Sequence, residues 1–121
     1  GRLVLAVPTR RFAGGVATAS YAMFLFDPNN EDALPFRRWG YLGSITTGSD
    51  NAASCEDGAV SPCASSSGTL TFGEADASGL PVLQVAQAGT TIAGPGDVHT
   101  LGAGDALRYT FDAKAGRYVQ P

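Results

Sequence analysis

An all-β fold, a single small sandwich or barrel of about seven or eight mostly antiparallel strands, is predicted by three features of the sequence. The first is the period-two run Asp105-Ala-Leu-Arg-Tyr-Thr-Phe-Asp112, with Leu107, Tyr109 and Phe111 on one face and Ala106, Arg108 and Thr110 on the other. The second is turn chemistry: 16 Gly and 7 Pro in 121 residues are what many short strands joined by tight turns require. The third is that the apolar runs, such as Tyr21-Ala-Met-Phe-Leu-Phe26, have the length of buried strands.

The elements follow in order. Leu3-Val-Leu-Ala-Val7 reads as a first strand buried on both faces and ended by Pro8, which cannot donate to a ladder. Arg10-Arg11 and Gly14-Gly15 read as a turn region. Val16–Phe26 is compatible with a helix through its Ala and Met residues, but aromatics at both parities favour a central strand. Asp27-Pro-Asn-Asn-Glu-Asp32 is a turn by composition. Phe36–Thr47 is a long alternating segment with Trp39, Tyr41 and Ile45 at one parity; Gly40 and Gly43 suggest a bend or bulge within it. Gly48 to Gly68 reads as a loop of some twenty residues, long enough to be functional or mobile. Thr69–Phe72 resumes a strand with Leu70 and Phe72 inward. Leu80–Gln87 is the next, and Thr90-Thr-Ile92 a short edge strand. Gly94-Pro-Gly-Asp and Gly102-Ala-Gly-Asp both read as Gly-turn-Asp lead-ins to short strands. The chain closes on a hairpin in which Ala113–Gly116 returns Arg117-Tyr-Val119 against Leu107–Phe111.

Residues 1–121 are read as one domain. Hydrophobic content of 44% against 16% charged residues excludes intrinsic disorder. A formal charge of −3, with Arg10-Arg11 and Arg37-Arg38 the only adjacent basic pairs, leaves no field for a phosphate backbone, so nucleic acid is not an expected partner. No stretch approaches the ~18 apolar residues of a spanning helix. A lipid anchor upstream of residue 1 is compatible with this reading.

Cys55 and Cys63 enclose seven residues between Ser-rich flanks. One His and no second Cys pair argue against a tetrahedral metal site, and the spacing is not that of a redox Cys-x-x-Cys. A disulfide tying the central loop is preferred over two inert thiols; it would contribute about 2–3 kcal/mol in the chain-entropy model. Such a bond implies an oxidising compartment, the periplasm or the cell exterior. Seven Arg to one Lys with abundant Ala suggests a GC-rich bacterial source.

No catalytic constellation emerges. Asp27-x-Asn29-x-Glu31 has calcium-loop spacing but lacks the Gly at its sixth position and the Glu at its twelfth. The two Gly-x-Gly-Asp pieces lack the repetition of calcium-binding arrays and the Lys of a P-loop. His99 has no Gly-x-Ser-x-Gly elbow to serve. Glu56-Asp57, Glu74 and Asp76 lie in turns, so a small carboxylate-dependent hydrolase is only an alternative. Neither cofactor nor metal is expected. Trp39, Tyr41, Tyr109 and Tyr118, with Arg37, Arg38 and Arg108, form either the core of a small β domain, the preferred account, or an aromatic–guanidinium surface; Trp39 is the candidate exception to burial.

Ser67-Gly68, followed by Phe72 and preceded by the cysteine loop, resembles the Ser-Gly loops that small periplasmic lysozyme inhibitors present to the enzyme's cleft, though the tyrosine usual in that motif is absent. That resemblance implies a hydrolase inhibitor and covers a few residues of 121. Tyr109-x-Phe-Asp…Gly116-Arg-Tyr118 is similar to the closing hairpin of many secreted bacterial β repeats. The reading is therefore a secreted or periplasmic binding module for a protein partner or a glycan. Its expected contact residues are Arg37, Arg38, Trp39, Tyr41 and Ser67, on the Gly48–Gly68 loop and the segment around Trp39. A structural component of the cell envelope is a further alternative.

Overall fold

The computed structural model describes residues 3–28, 39–55 and 62–121. Its strands are β1 (Leu3–Ala13), β2 (Val16–Phe26), β3 (Trp39–Asp50), β4 (Ser66–Ala75), β5 (Pro81–Gly94), β6 (Asp97–Leu101), β7 (Leu107–Asp112) and β8 (Arg117–Val119), with one four-residue helix, α1 (Ala52–Cys55). They form two antiparallel sheets, β1-β2-β3 and a five-stranded one ordered β4-β5-β7-β8 with β6 also on β5. The predicted all-β class holds.

Gly14 and Gly15 both have positive φ, +60° and +78°, the requirement of a two-residue hairpin turn whose twist matches its strands. From it β1 and β2 pair without a slip, Ala13 with Val16 through to Leu3 with Phe26. β1 therefore runs straight through Pro8 and includes Arg10 and Arg11. Pro8 does not end it because β1 is an edge strand, where a missing N–H can face the unpaired side. Nor is β1 buried on both faces. Val4 and Ala6 pack on the core, whereas Leu3 (58%), Leu5 (44%) and Val7 (37%) are exposed.

β3 carries two irregularities against β2. The register shifts between Ala22 and Phe24, opposite Gly43 (φ +94°), and again between Ala19 and Ser20, opposite Thr47. Each inserts one extra residue and flips the alternation beyond it. This is why Tyr41 and Ile45, expected on one face, lie on opposite ones: Ile45 is 1% exposed and Tyr41 58%. Leu42, Ile45 and Thr47 are all buried, while Ser44, Thr46 and Ser49 are exposed.

In the second sheet β5 extends to Gly94 and absorbs Thr90–Ile92, so these do not make a separate edge strand. β6 and β7 together form one interrupted partner of β5. Ile92 pairs with Val98 and Leu83 with Tyr109, and the partner strand gains two residues between these points. The Gly94–Asp97 piece is the hairpin turn, but Gly102–Asp105 is an outward bulge containing one turn of 3₁₀ helix at Ala103–Asp105. Asp105 pins that bulge. Its carboxylate accepts the Gly102 N–H (2.8 Å) and bonds His99 Nε2 (3.0 Å), and its carbonyl accepts Gln87 Nε2 (2.6 Å). The Gly102 amide, and after it His99, hold its carboxyl below the usual carboxylate range.

Met23, Leu42 and Ile45 from the first sheet meet Leu83, Val85 and Tyr118 from the second and Leu80 just before β5. Each fully buried aliphatic side chain contributes roughly 1.5–3 kcal/mol relative to exposure. Phe72, expected inward, remains 49% exposed on β4, which flanks β5 at one margin of the sheet. Gly43 lies against Arg117 on β8, and Gly48 against Ser66 and Ser67 on β4. Five residues at ~3.3 Å each cover ~16 Å, close to the ~14 Å of three interstrand spacings from β8 to β4. β3 therefore crosses the second sheet from one edge to the other.

The central connection is shorter than expected, because β3 continues to Asp50 and β4 begins at Ser66. Cys55 and Cys63 form a disulfide. Asn51, 6% exposed, organises this turn. Its Oδ1 accepts the Ala64 N–H (2.9 Å), its Nδ2 donates to Pro62 O (3.1 Å), and its carbonyl accepts from the Ser54 and Cys55 amides. Ser54, also buried, donates to Gly15 O (3.3 Å) and so docks α1 on the first hairpin turn.

Candidate functional site

The outer face of the β1-β2-β3 sheet turns large apolar side chains away from the core. Directly paired residues share a face, so the registers build this surface in rungs across the three strands. Leu3, Phe26 and Trp39 form the first rung, Leu5, Phe24 and Tyr41 the second, and Val7, Ala22 and Ser44 the third. Thr9, Ser20 and Thr46 form the fourth, and Arg11, Thr18 and Ser49 the fifth. Composition thus changes from aromatic and aliphatic at one end to hydroxyl and guanidinium at the other. Four steps of two residues make the strip about 26 Å long.

At the aromatic end the rings lie against one another at a tilt. Phe26 and Trp39 are 4.9 Å apart between centroids, Phe24 and Tyr41 5.6 Å. Trp39 is half-buried, lies against Phe26 and is not part of the core cluster. The Tyr41 hydroxyl shares a 2.7 Å hydrogen bond with Ser44 Oγ, a contact the Gly43 bulge permits by bringing both onto the outside. At the polar end Thr9 Oγ1 donates to Ser20 O (3.2 Å), and Ser20 and Thr46 hydroxyls lie 3.4 Å apart along a shallow depression of about 360 Å³.

Beside Tyr41 the face opens into a second groove, of about 570 Å³, between β3 and β8. Tyr41, Ser44, Arg117 and Gln120 line it together with Tyr109 and Tyr118. Tyr118 donates its hydroxyl to Pro81 O (2.8 Å); burial, then the charge of Asp76, pushes its pKa up to about 12. Burial likewise raises Tyr109. Both phenols remain protonated donors at any physiological pH.

The expected site residues divide. Trp39 and Tyr41 are brought together on the outer face; Tyr109 and Tyr118 belong to the core side, so the core account is right for two of the four rings. Arg37 and Arg38 lie outside the described residues, as do Glu56, Asp57 and the Asn29–Asp32 part of the calcium-like spacing. Ser67 is exposed on β4 against Gly48, nine residues along β3 from Trp39 and therefore roughly 30 Å from it. It shares no site with the aromatic pair. Arg108 lies near Asp76 in the second sheet's field. Arg117, Ser44, Phe24 and Phe26 were not singled out from sequence; Phe24 and Phe26, alternating with Met23 and Leu25, carried the available signal.

The hydrolase alternative needs His99 beside Asp57, Glu74 or Asp76, of which Asp57 lies outside the described residues. Instead His99 is engaged by Asp105, and the Asp76 carboxylate is held by the Ser78 hydroxyl and amide, which lower its pKa. Among the described residues no group of three His, Cys, Asp or Glu side chains is arranged to hold a metal ion. No described helix is long and apolar enough to cross a membrane. No family model, curated protein or solved structure matches the chain.

Proposed function

We propose that the chain is a binding module of a secreted or periplasmic bacterial protein, and that its ligand is a glycan seated on the outer face around Trp39 and Tyr41. The observation that carries this reading is the solvent-facing aromatic end of the three-stranded sheet, with hydroxyl groups directly beside it. Sugar rings offer apolar C–H faces to aromatic side chains and hydroxyls to polar ones. Tyr41 and Ser44 supply both within one hydrogen bond of each other. The Cys55–Cys63 disulfide supports an oxidising compartment.

Trp39 is the only tryptophan in the chain, so its emission reports directly on the face. Titration with a panel of soluble oligosaccharides should shift that emission, and Tyr41→Ala should weaken the response at least about fivefold, equivalent to about 1 kcal/mol. If no saccharide moves Trp39 emission or the backbone resonances of β1–β3, the reading is wrong. A second reading, a protein partner, draws on a separate observation: Leu3, Leu5 and Val7 make an exposed aliphatic margin beside the rings. Leu5→Lys should abolish such docking while leaving saccharide binding at Tyr41 intact.

A further inference from the structure

We infer that the saccharide bound beside Tyr41 is acidic, with its carboxylate paired to Arg117 in the groove between β3 and β8. This rests on the glycan reading above and names the class of ligand. Among its described lining residues the groove has one charged side chain, Arg117, and no carboxylate. Arg117 has no ion-pair partner among the described residues, where the single pair is His99 with Asp105. Asp112, its neighbour across the β7–β8 ladder, directs Oδ1 at the Lys114 and Ala115 amides.

The position of this guanidinium is set by the backbone beneath it. Gly43 sits under the Arg117 stem, and a Cβ there would lie 3.1 Å from Arg117 Cβ and 3.6 Å from Cδ. The bulge that turns Tyr41 and Ser44 outward is thus also the floor on which Arg117 rests. An exposed ring, a hydroxyl pair and a guanidinium with no ion-pair partner among the described residues converge on one mixed polar and apolar groove. In a chain of net charge −3, this is a local positive site suited to one carboxylate, which a planar guanidinium receives through paired hydrogen bonds. A nucleic-acid backbone would need many more cations. The hydroxyl rungs running from Ser44 toward Thr9 and Thr46 give further sugar units of a linear ligand polar contacts.

The test compares tetrameric uronic-acid oligosaccharide, the matching neutral hexose tetramer and a poly-glutamate peptide, by Trp39 emission and calorimetry. The uronate should bind at least tenfold tighter than the neutral sugar at 50 mM salt, and that preference should collapse at 500 mM. Arg117→Gln should remove the preference for the uronate over the neutral sugar, and Arg117→Lys should restore part of it. Equal affinity for uronate and neutral sugar would overturn the inference while leaving the glycan reading standing. Absence of binding by either sugar would overturn both. Poly-glutamate binding as tightly as the uronate, with the same dependence on Arg117, would replace the saccharide by an acidic peptide. Should Arg117→Gln fail to fold, the salt dependence and the uronate-to-neutral ratio of the unmodified chain still decide the matter.

Discussion

Gly43→Ala tests the irregularity on which the candidate site is built. Gly43 has φ +94°, a conformation that costs an L-residue about 1–2 kcal/mol. Its new Cβ would also lie 3.1 Å from Arg117 Cβ, a few tenths of an ångström inside comfortable contact, with a partner atom fixed to the β8 backbone. Crowding of this size adds up to about 1 kcal/mol, at the low end of overpacking costs. The expected loss is therefore about 1–3 kcal/mol, or roughly 4–12 °C in Tm for a chain of this size. Thermal and urea denaturation followed by circular dichroism measure it. Gly94→Ala is the control: φ there is not positive and its Cβ would meet nothing within 4 Å, so stability should stay level or rise slightly. A Gly43→Ala loss below about 0.5 kcal/mol, no larger than the control's change, would refute the argument that the bulge requires glycine.

Three further outcomes follow from the same geometry. Gly68→Ala would place a Cβ 2.6 Å from Thr47 O and 2.7 Å from Val85 Cγ1, forcing β3 and β4 apart; urea midpoints should show a loss of about 3 kcal/mol or more. Asn51→Ala removes a buried side chain that bridges Pro62 O and the Ala64 amide, and should cost about 2–3 kcal/mol by the same measurement. Stability should fall as pH rises from about 10 through about 12. The Tyr118 proton is held more tightly folded than unfolded, so its contribution is complete below the unfolded value near 10 and vanishes above the folded one. The drop is at most about 3 kcal/mol for a two-unit difference, and Tyr118→Phe should flatten that limb of the stability curve.

How much of this was legible in the sequence depended on whether alternation ran unbroken. Leu107–Asp112 and Arg117–Val119 could be read because apolar and polar residues alternate there without a slip, and the Gly116 turn is local. In β3 the same rule fails at Gly43 and at Thr47, since each extra residue inverts every later position. Gly43 itself flagged a bulge, but not which ring it would turn outward. Pro8 misled because its effect depends on whether a strand lies on its donor side, a property of sheet order and not of sequence. The outer face was hidden for a similar reason: Phe24 and Phe26 beside Met23 and Leu25 look like a strand buried on both sides until the sheet is known to be covered on one. Arg117 was visible only as half of a hairpin, because Gly43 lies far from it in sequence. Cysteine spacing, by contrast, was sufficient for the disulfide, since two cysteines at a sequence separation of 8 close a local loop.

The disulfide and the aromatic face should be separable. Closing a loop of about eight residues stabilises the chain by about 2.5 kcal/mol in the entropy model, so replacing Cys55 and Cys63 by Ser should lower Tm by roughly 10 °C. The turn it ties docks through Ser54 onto Gly15, at the end of β2 opposite Phe24 and Phe26. Asn51 fixes the same turn to the backbone at Pro62 and Ala64 independently of the sulfurs. Neither set of contacts reaches Trp39, Tyr41 or Arg117, so well below its new Tm the double variant should keep the Trp39 emission maximum and any saccharide affinity of the unmodified chain. A red-shifted Trp39 in a variant that still melts cooperatively would mean that strain from the cysteine turn travels along β3, and that the central connection belongs to the binding surface after all.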